Sequence, residues 1–166
     1  MIIAIDVHYR ETEAKIIALA FENWTDNMPT QIYTAITTEI AEYKSGMFYK
    51  RELPCIAQIM KQIDLEMVSF LVVDGYVYLD DAGKKGLGFY VFEHFEGQFP
   101  VIGVAKSHFF DNEKLVYPVV RGGSLKPLYV TAIGVDLETA AVAVKSMAGD
   151  FRMPTLLKKL DSLTKS

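Results

Sequence analysis

Two acidic residues interrupt apolar runs at positions where a buried strand would carry another hydrophobe. Asp6 follows Ile2-Ile3-Ala4-Ile5, and Asp74 follows Phe70-Leu71-Val72-Val73. If the two runs are parallel neighbours, both carboxylates emerge at one edge of the sheet, where open α/β sheets place ligands. Two carboxylates that close repel each other unless a proton or a divalent cation lies between them, and an all-oxygen donor set suits Mg²⁺. The same pattern also fits solvated strand ends or helix caps, and Asp74-Gly75 is a common turn dipeptide. The residue types leave these two readings level. A third carboxylate, Glu52, lies in Tyr49-Lys50-Arg51-Glu52-Leu53-Pro54, at or just before the start of a helix, where the helix dipole favours an acid with or without a ligand.

The elements that would position these residues are legible from periodicity. Ile2 to Tyr9 and Ala14 to Phe21 are apolar runs joined by Arg10-Glu11-Thr12-Glu13, the pattern of an opening hairpin, and Gln31 to Thr37 is a β-branched third strand. Leu53, Ile56, Met60 and Ile63 then recur at helical spacing, with Pro54 suited to the first turn. Met67 to Val73 carries apolar residues at both parities, as a strand buried on two faces does. Leu87 to Phe95 predicts a short helix and Pro100 to Val104 a second buried strand, a strand, helix, strand unit with parallel strands. Lys114 to Val120 and Leu128 to Ile133 flank the turn Gly122-Gly123-Ser124 as an antiparallel pair. Leu137 to Ala148 and Thr155 to Leu163 close the chain as helices. The order predicts a mixed α/β sheet with helices packed on it.

Composition narrows the classes. The chain has 166 residues, 17 basic against 21 acidic side chains and a formal net charge of -4, so bulk positive charge cannot be what holds a nucleic acid. The absence of repeats and of composition shifts predicts one domain over residues 1–166. No apolar run approaches the roughly 18 residues of a membrane span, and the N-terminal run lacks a basic start and a cleavage site, so a cytoplasmic protein with no membrane partner is expected. The single cysteine, Cys55, has no partner for a disulfide and is expected in the core. His8, His94 and His108 lack zinc-ligand spacing. Gly83-Lys84-Lys85-Gly86 lacks the full phosphate-loop signature, and neither Ser107 nor Ser124 sits in a nucleophile elbow.

Four stretches, in order, resemble the endonuclease V family, whose members cleave nucleic acid near deoxyinosine or inosine and have an RNase H-like fold. They are Ala4-Ile5-Asp6-Val7-His8-Tyr9, the segment Tyr43 to Pro54, Val72-Val73-Asp74-Gly75, and Pro100-Val101-Ile102-Gly103-Val104-Ala105-Lys106-Ser107, which is the most specific; Lys126-Pro127-Leu128-Tyr129-Val130 adds a late strand. The resemblance implies an RNase H-like mixed sheet and a Mg²⁺- or Mn²⁺-dependent endonuclease acting on DNA or RNA, in DNA repair or in cleavage of inosine-containing RNA. It implies Asp6, Glu52 and Asp74 as metal ligands and Lys106 as the cation near the scissile phosphate. Tyr43 becomes the wedge that stacks where the target base leaves the helix, and Gly75 the residue that lets the loop backbone approach that base.

The sequence also departs from the family. After Asp74-Gly75 it reads Tyr76-Val77-Tyr78-Leu79-Asp80-Asp81, where the family has a further Gly and a His-Pro pair. Val77 in place of glycine predicts a blocked backbone approach, and Asp80 and Asp81 predict repulsion along the phosphate path. With Arg152-Met153-Pro154 aligned to the family's Arg-Ile-Pro, Asp161 falls where the family has a His, as either a metal ligand or a helix-surface acid. Two alternative readings accompany the endonuclease: a catalytically weak nucleic-acid-binding relative, and an RNase H-like nuclease with a different target such as a junction.

Overall fold

The computed structural model describes residues 1–42, 45, 47–109 and 111–166. Its strands are β1 (Ile2–Tyr9), β2 (Ala14–Phe21), β3 (Gln31–Thr37), β4 (Phe70–Asp74), β5 (Val101–Ala105), β6 (Tyr117–Val119) and β7 (Leu128–Ile133). The helices are α1 (Phe48–Met60), α2 (Leu87–His94), α3 (Leu137–Ser146) and α4 (Thr155–Lys165), with a 3₁₀ turn at Leu65–Met67. The strands form one sheet in the order β3-β2-β1-β4-β5-β7-β6. The central pairs β1/β4 and β4/β5 are parallel, and the outer pairs are antiparallel.

Period-2 alternation sorts the sheet's side chains into two cores. Ile2, Ala4, Val72, Ile102 and Val104 pack under α3 and α4, against Ala140, Val144, Leu156, Leu157 and Leu160. Ile3, Ile5, Leu71, Val73 and Val101 face the other way, toward Cys55, Ile56 and Ile59 of α1 and Leu87 and Val91 of α2. The result is a sheet covered by helices on both faces, so β4 and β5 are apolar at both parities. Cys55 is buried as expected.

Several boundaries differ from the sequence reading, among them the starts of α1 and β4. Helix α1 starts at Phe48, which leaves Pro54 in its interior and Glu52 one turn inside rather than before the start. Tertiary contacts offset the local cost of a proline there: Tyr49, in the first turn, stacks on Tyr90 of α2 with ring centroids 3.7 Å apart, while Cys55, Ile56, Ile59 and Met60 bury the later turns. The strand expected from Met67 begins at Phe70 instead, because Asp64 caps the 3₁₀ turn by accepting from the Glu66 amide and holds that segment out of the sheet.

Candidate active site at the strand ends

Strand register brings the two interrupting acids together. Ile5 pairs with Val73 in the parallel β1/β4 ladder, so Asp6 and Asp74 are the next residues on adjacent strands. Alternation then fixes their direction. Asp6 shares parity with Ile2 and Ala4, Asp74 with Val72, and Lys106 with Ile102 and Val104, all on the α4 face of the sheet. Helix α4 buries Leu156, Leu157 and Leu160 against that face, and Asp161 follows Leu160 at the rim. Asp6, Asp74, Asp161 and Lys106 consequently line one cavity of about 40 Å³, with Val104, Leu157 and Leu160 among its apolar walls.

The electrostatics are those of crowded carboxylates. Burial pushes the Asp6 carboxyl from 3.8 up to about 6; Asp74 and Asp161 add to the push, against the Val7 amide and the Lys106 ammonium. The Val7 amide donates to Asp6 Oδ1 at 2.9 Å. Asp74 is also pushed upward, first by burial, with Lys106 offsetting part of it. Asp74 is exposed at its strand end, so solvent screens part of these charges. Asp161 is held on its outer side by Lys165, at 3.0 Å.

Glu52 belongs to the opposite layer, close enough to feel the charges of Asp6 and Asp74. It is 6% exposed on α1, which packs against the other face of the sheet. Burial pushes its carboxyl up to about 8; the neighbouring Tyr9 hydroxyl pulls the other way, and the charges of Asp6 and Asp74 raise it further. Tyr9 is boxed in by the Arg51 guanidinium, 3.5 Å from its ring centroid, and by Cys55 Sγ, 3.9 Å from its hydroxyl.

The donor set fits a hard divalent cation. Its carboxylates raise one another's proton affinity, and a cation would relieve the repulsion that a proton now relieves. They are not drawn into a closed cage: among the described residues no three His, Cys, Asp or Glu side chains converge tightly enough to hold a metal ion. Asp6, Asp74 and Asp161 lie on the α4 side of the sheet and Glu52 on the α1 side.

Beyond Asp74 and Lys106 the cavity opens into a larger groove of about 660 Å³, walled by Phe48, Tyr49, Tyr76, Leu79 and Phe109 and edged by Lys84 and Lys85. Gly75 enters this groove with φ +132°, and a Cβ there would meet nothing within 4 Å, so backbone conformation rather than space calls for glycine. Val77 does not project into the groove. It is fully buried against Gly88, where an added Cβ would fall 2.7 Å from Val77 Cγ2. Asp80 and Asp81 are both engaged by backbone amides. Asp80 accepts from the Lys84 amide, and Asp81 accepts from the Glu113 and Lys114 amides, which hold its carboxyl below the usual range. Tyr43 lies outside the described residues.

Sequence reasoning missed three residues here. The buried Thr164 hydroxyl donates to the Asp161 carbonyl at 2.8 Å and stands 3.4 Å from Asp6 Oδ2. The Arg152 guanidinium donates to the carbonyls of Lys106 and Pro127, tying the start of α4 to the end of β5. Tyr9 carried a signal, as a tyrosine three residues after Asp6 on the same strand; Thr164, 158 residues from Asp6, carried none.

A mixed sheet with paired acids at the ends of its central parallel strands, a helical acid above them and helices on both faces is an RNase H-like domain. The model of the endonuclease V family matches residues 1–161, and the chain belongs to that family. Endonuclease V from Ciona intestinalis, solved with a 24mer DNA containing an inosine followed by a ribo-adenosine, is similar over 99% of this chain and 83% of that one, at 19% identity and TM-score 0.77. The catalytic domain of human endonuclease V matches over 99% of this chain and 80% of that one, at 22% identity and TM-score 0.74. Argonaute from Marinitoga piezophila, solved with a guide RNA, shares the fold over 99% of this chain and 29% of its own, at 14% identity and TM-score 0.54. None of the curated proteins matches by sequence. No helix among the described residues is long and apolar enough to cross a membrane.

Proposed function

We propose that the protein is a metal-dependent endonuclease that hydrolyses phosphodiester bonds in DNA or RNA near deoxyinosine or inosine. The observation that carries this reading is the pairing of Asp6 with Asp74 at the ends of adjacent parallel strands, in one cavity with Asp161 and Lys106. Asp6, Glu52 and Asp74 would hold Mg²⁺ or Mn²⁺, with Asp161 as a further oxygen donor, and the bound cation would supply an activated water and charge neutralisation at the phosphate. The protein's own groups do the rest. Lys106 presents an ammonium at the junction of the carboxylate cavity and the aromatic groove, where it offsets charge developing on the phosphate. Glu52, pushed up to about 8, holds at neutral pH a proton that cation binding would release, and Asp6, pushed up to about 6, does so in mild acid. Gly75 leaves the groove open beside Asp74 for an unstacked base.

A specific observation supports a second reading, the same chemistry on a target other than inosine. Reading a base edge takes free hydrogen-bonding groups, and the loop after Asp74 uses most of its amides internally. Gly75 donates to Val104, Val77 to Thr131 Oγ1, Leu79 to Lys84, Gly86 to Val77 and Gly88 to Tyr76. The test is cleavage of end-labelled DNA and RNA strands, each with and without one inosine, in Mg²⁺ and in Mn²⁺. Cutting confined to inosine-bearing strands supports the first reading. Cutting regardless of inosine supports the second, and no cutting of any strand overturns both.

A further inference from the structure

A second groove, of about 530 Å³, adjoins the carboxylate cavity at α4 and has only Lys106 in common with the aromatic groove. It shares Lys106 and Asp161 with that cavity and continues past Lys158 to Phe151. Phe151 is 71% exposed, a large ring left in water on the loop between α3 and α4. An isolated exposed aromatic needs no explanation, but the backbone beneath this one is held with unusual firmness. The guanidinium of Arg121, 6% exposed, donates to the carbonyls of Lys145, Met147, Gly149, Phe151 and Arg152. Gly122, at φ +61°, packs so closely under the same turn that a Cβ would fall 2.3 Å from the Asp150 carbonyl oxygen. Next along the turn, Arg152 is anchored to the Lys106 carbonyl, which couples the platform to the cation of the candidate site.

We infer that this groove is a nucleic-acid subsite, in which a base of the strand flanking the cleaved phosphate stacks on Phe151 while Lys158 meets the adjoining phosphate. The inference rests on the nuclease reading for the direction of the strand and adds to it a second contact outside the target-base groove. An aromatic face beside an ammonium suits a strand of any sequence, because every base has a π-face and every linkage a charge. The Lys158 ammonium lies 6.0 Å from the Phe151 ring centroid. Of the acids nearby, Asp161 is paired with Lys165, and Asp150 is not among the residues that line the groove. A rigid platform also loses little freedom when the strand arrives, which favours binding.

The test uses fluorescein-labelled single-stranded DNA of mixed sequence, with Ca²⁺ in place of Mg²⁺ to keep the strand uncut. Phe151→Ala is expected to weaken binding about 5- to 100-fold by anisotropy. Phe151→Trp is expected to keep near-native affinity and to report on the contact directly. The chain has one native tryptophan, Trp24, partly buried and packed edge-on against Phe21 and Phe70, so its emission in the unsubstituted protein serves as the baseline. Quenching of the introduced indole with the same midpoint as the anisotropy change supports the subsite. Undiminished binding by Phe151→Ala, or an indole unquenched by bound strand, overturns it while leaving the nuclease reading to stand on Asp74. A strand that quenches the indole but is never cut in Mg²⁺ or Mn²⁺ supports the subsite and sinks the nuclease. A protein that binds no strand overturns both.

Discussion

Glu52 shows most clearly what the site does to a single residue. Its carboxyl is buried on α1 beside the Tyr9 hydroxyl, feels the charges of two other acids, and holds its proton up to about 8 against 4.5 for the unperturbed group. The sign of the stability effect follows from this raised value. Below 4.5 the folded and unfolded chains both carry the proton and the residue contributes no difference. As pH rises, the unfolded chain releases its proton first, so folding becomes less favourable until the folded group also ionises near 8. Asp6 acts in the same direction between 3.8 and about 6. Glu52→Gln should therefore stabilise the metal-free protein by about 4 kcal/mol at pH 8 relative to the unsubstituted chain, and by almost nothing at pH 4. Denaturant unfolding at the two pH values, in chelator, measures the difference; a gain of equal size at both would show that Glu52 is not held protonated.

At the scale of elements, close packing explains why Val77, in the loop after Asp74, departs from its sequence expectation. Val77 reads as an obstacle in the groove, yet it is inserted against Gly88 at the start of α2, with no room for a methyl group between them. Gly88→Ala should cost about 1–3 kcal/mol by overpacking, and Val77→Ala in the same chain should recover part of that loss. Melting of the single and double variants decides it, and strictly additive losses would mean the two residues do not share the space. The turn before α4 depends instead on Arg121. Arg121→Ala strands several carbonyls around a vacated site and should cost about 3–5 kcal/mol in denaturant unfolding; a loss under about 1 kcal/mol would show that the clasp does not hold that turn.

The same elements show what was legible in the sequence. β1, β2, β3 and β7 have the boundaries that alternation predicts, because period 2 is a local signal. The start of α1 was not legible: the Tyr49–Tyr90 stack that fixes its first turn joins residues 41 apart, and a proline at the seventh helical position argues locally for a later start. Asp6, Asp74 and Lys106 were readable as site candidates because strand parity and the family motifs point to the same edge. Arg121 and Thr164 were not, since a basic residue before Gly-Gly and a threonine near a helix end are ordinary until the fold brings carbonyls and Asp6 to them.

For the molecule as a whole, a net charge of -4 means that any polyanion would have to be met by local cations rather than by bulk charge. Lys84 and Lys85 edge one groove, Lys158 the other, and Lys106 stands where both meet the carboxylates. The carboxylates themselves remain the largest local repulsion, and a divalent cation should turn that repulsion into stability. Saturating Mg²⁺ or Mn²⁺ is expected to raise the melting temperature more at pH 8 than at pH 5, because binding requires carboxylates that have lost their protons. Calorimetric scans at both pH values check this, and an equal rise at each would place the cation elsewhere.

The most direct test of the central claim is cleavage of an end-labelled, inosine-bearing strand in Mg²⁺ and in Mn²⁺ by the unsubstituted protein and by Asp74→Asn. Asp and Asn are nearly isosteric, so circular dichroism should show an unchanged fold. Loss of a metal ligand should lower the cleavage rate by about a thousandfold or more. Cutting by the unsubstituted protein that requires the divalent cation and vanishes in Asp74→Asn is the predicted result. Undiminished cutting by Asp74→Asn, or by the unsubstituted protein in chelator, would contradict the assignment of the strand-end carboxylates as the metal site.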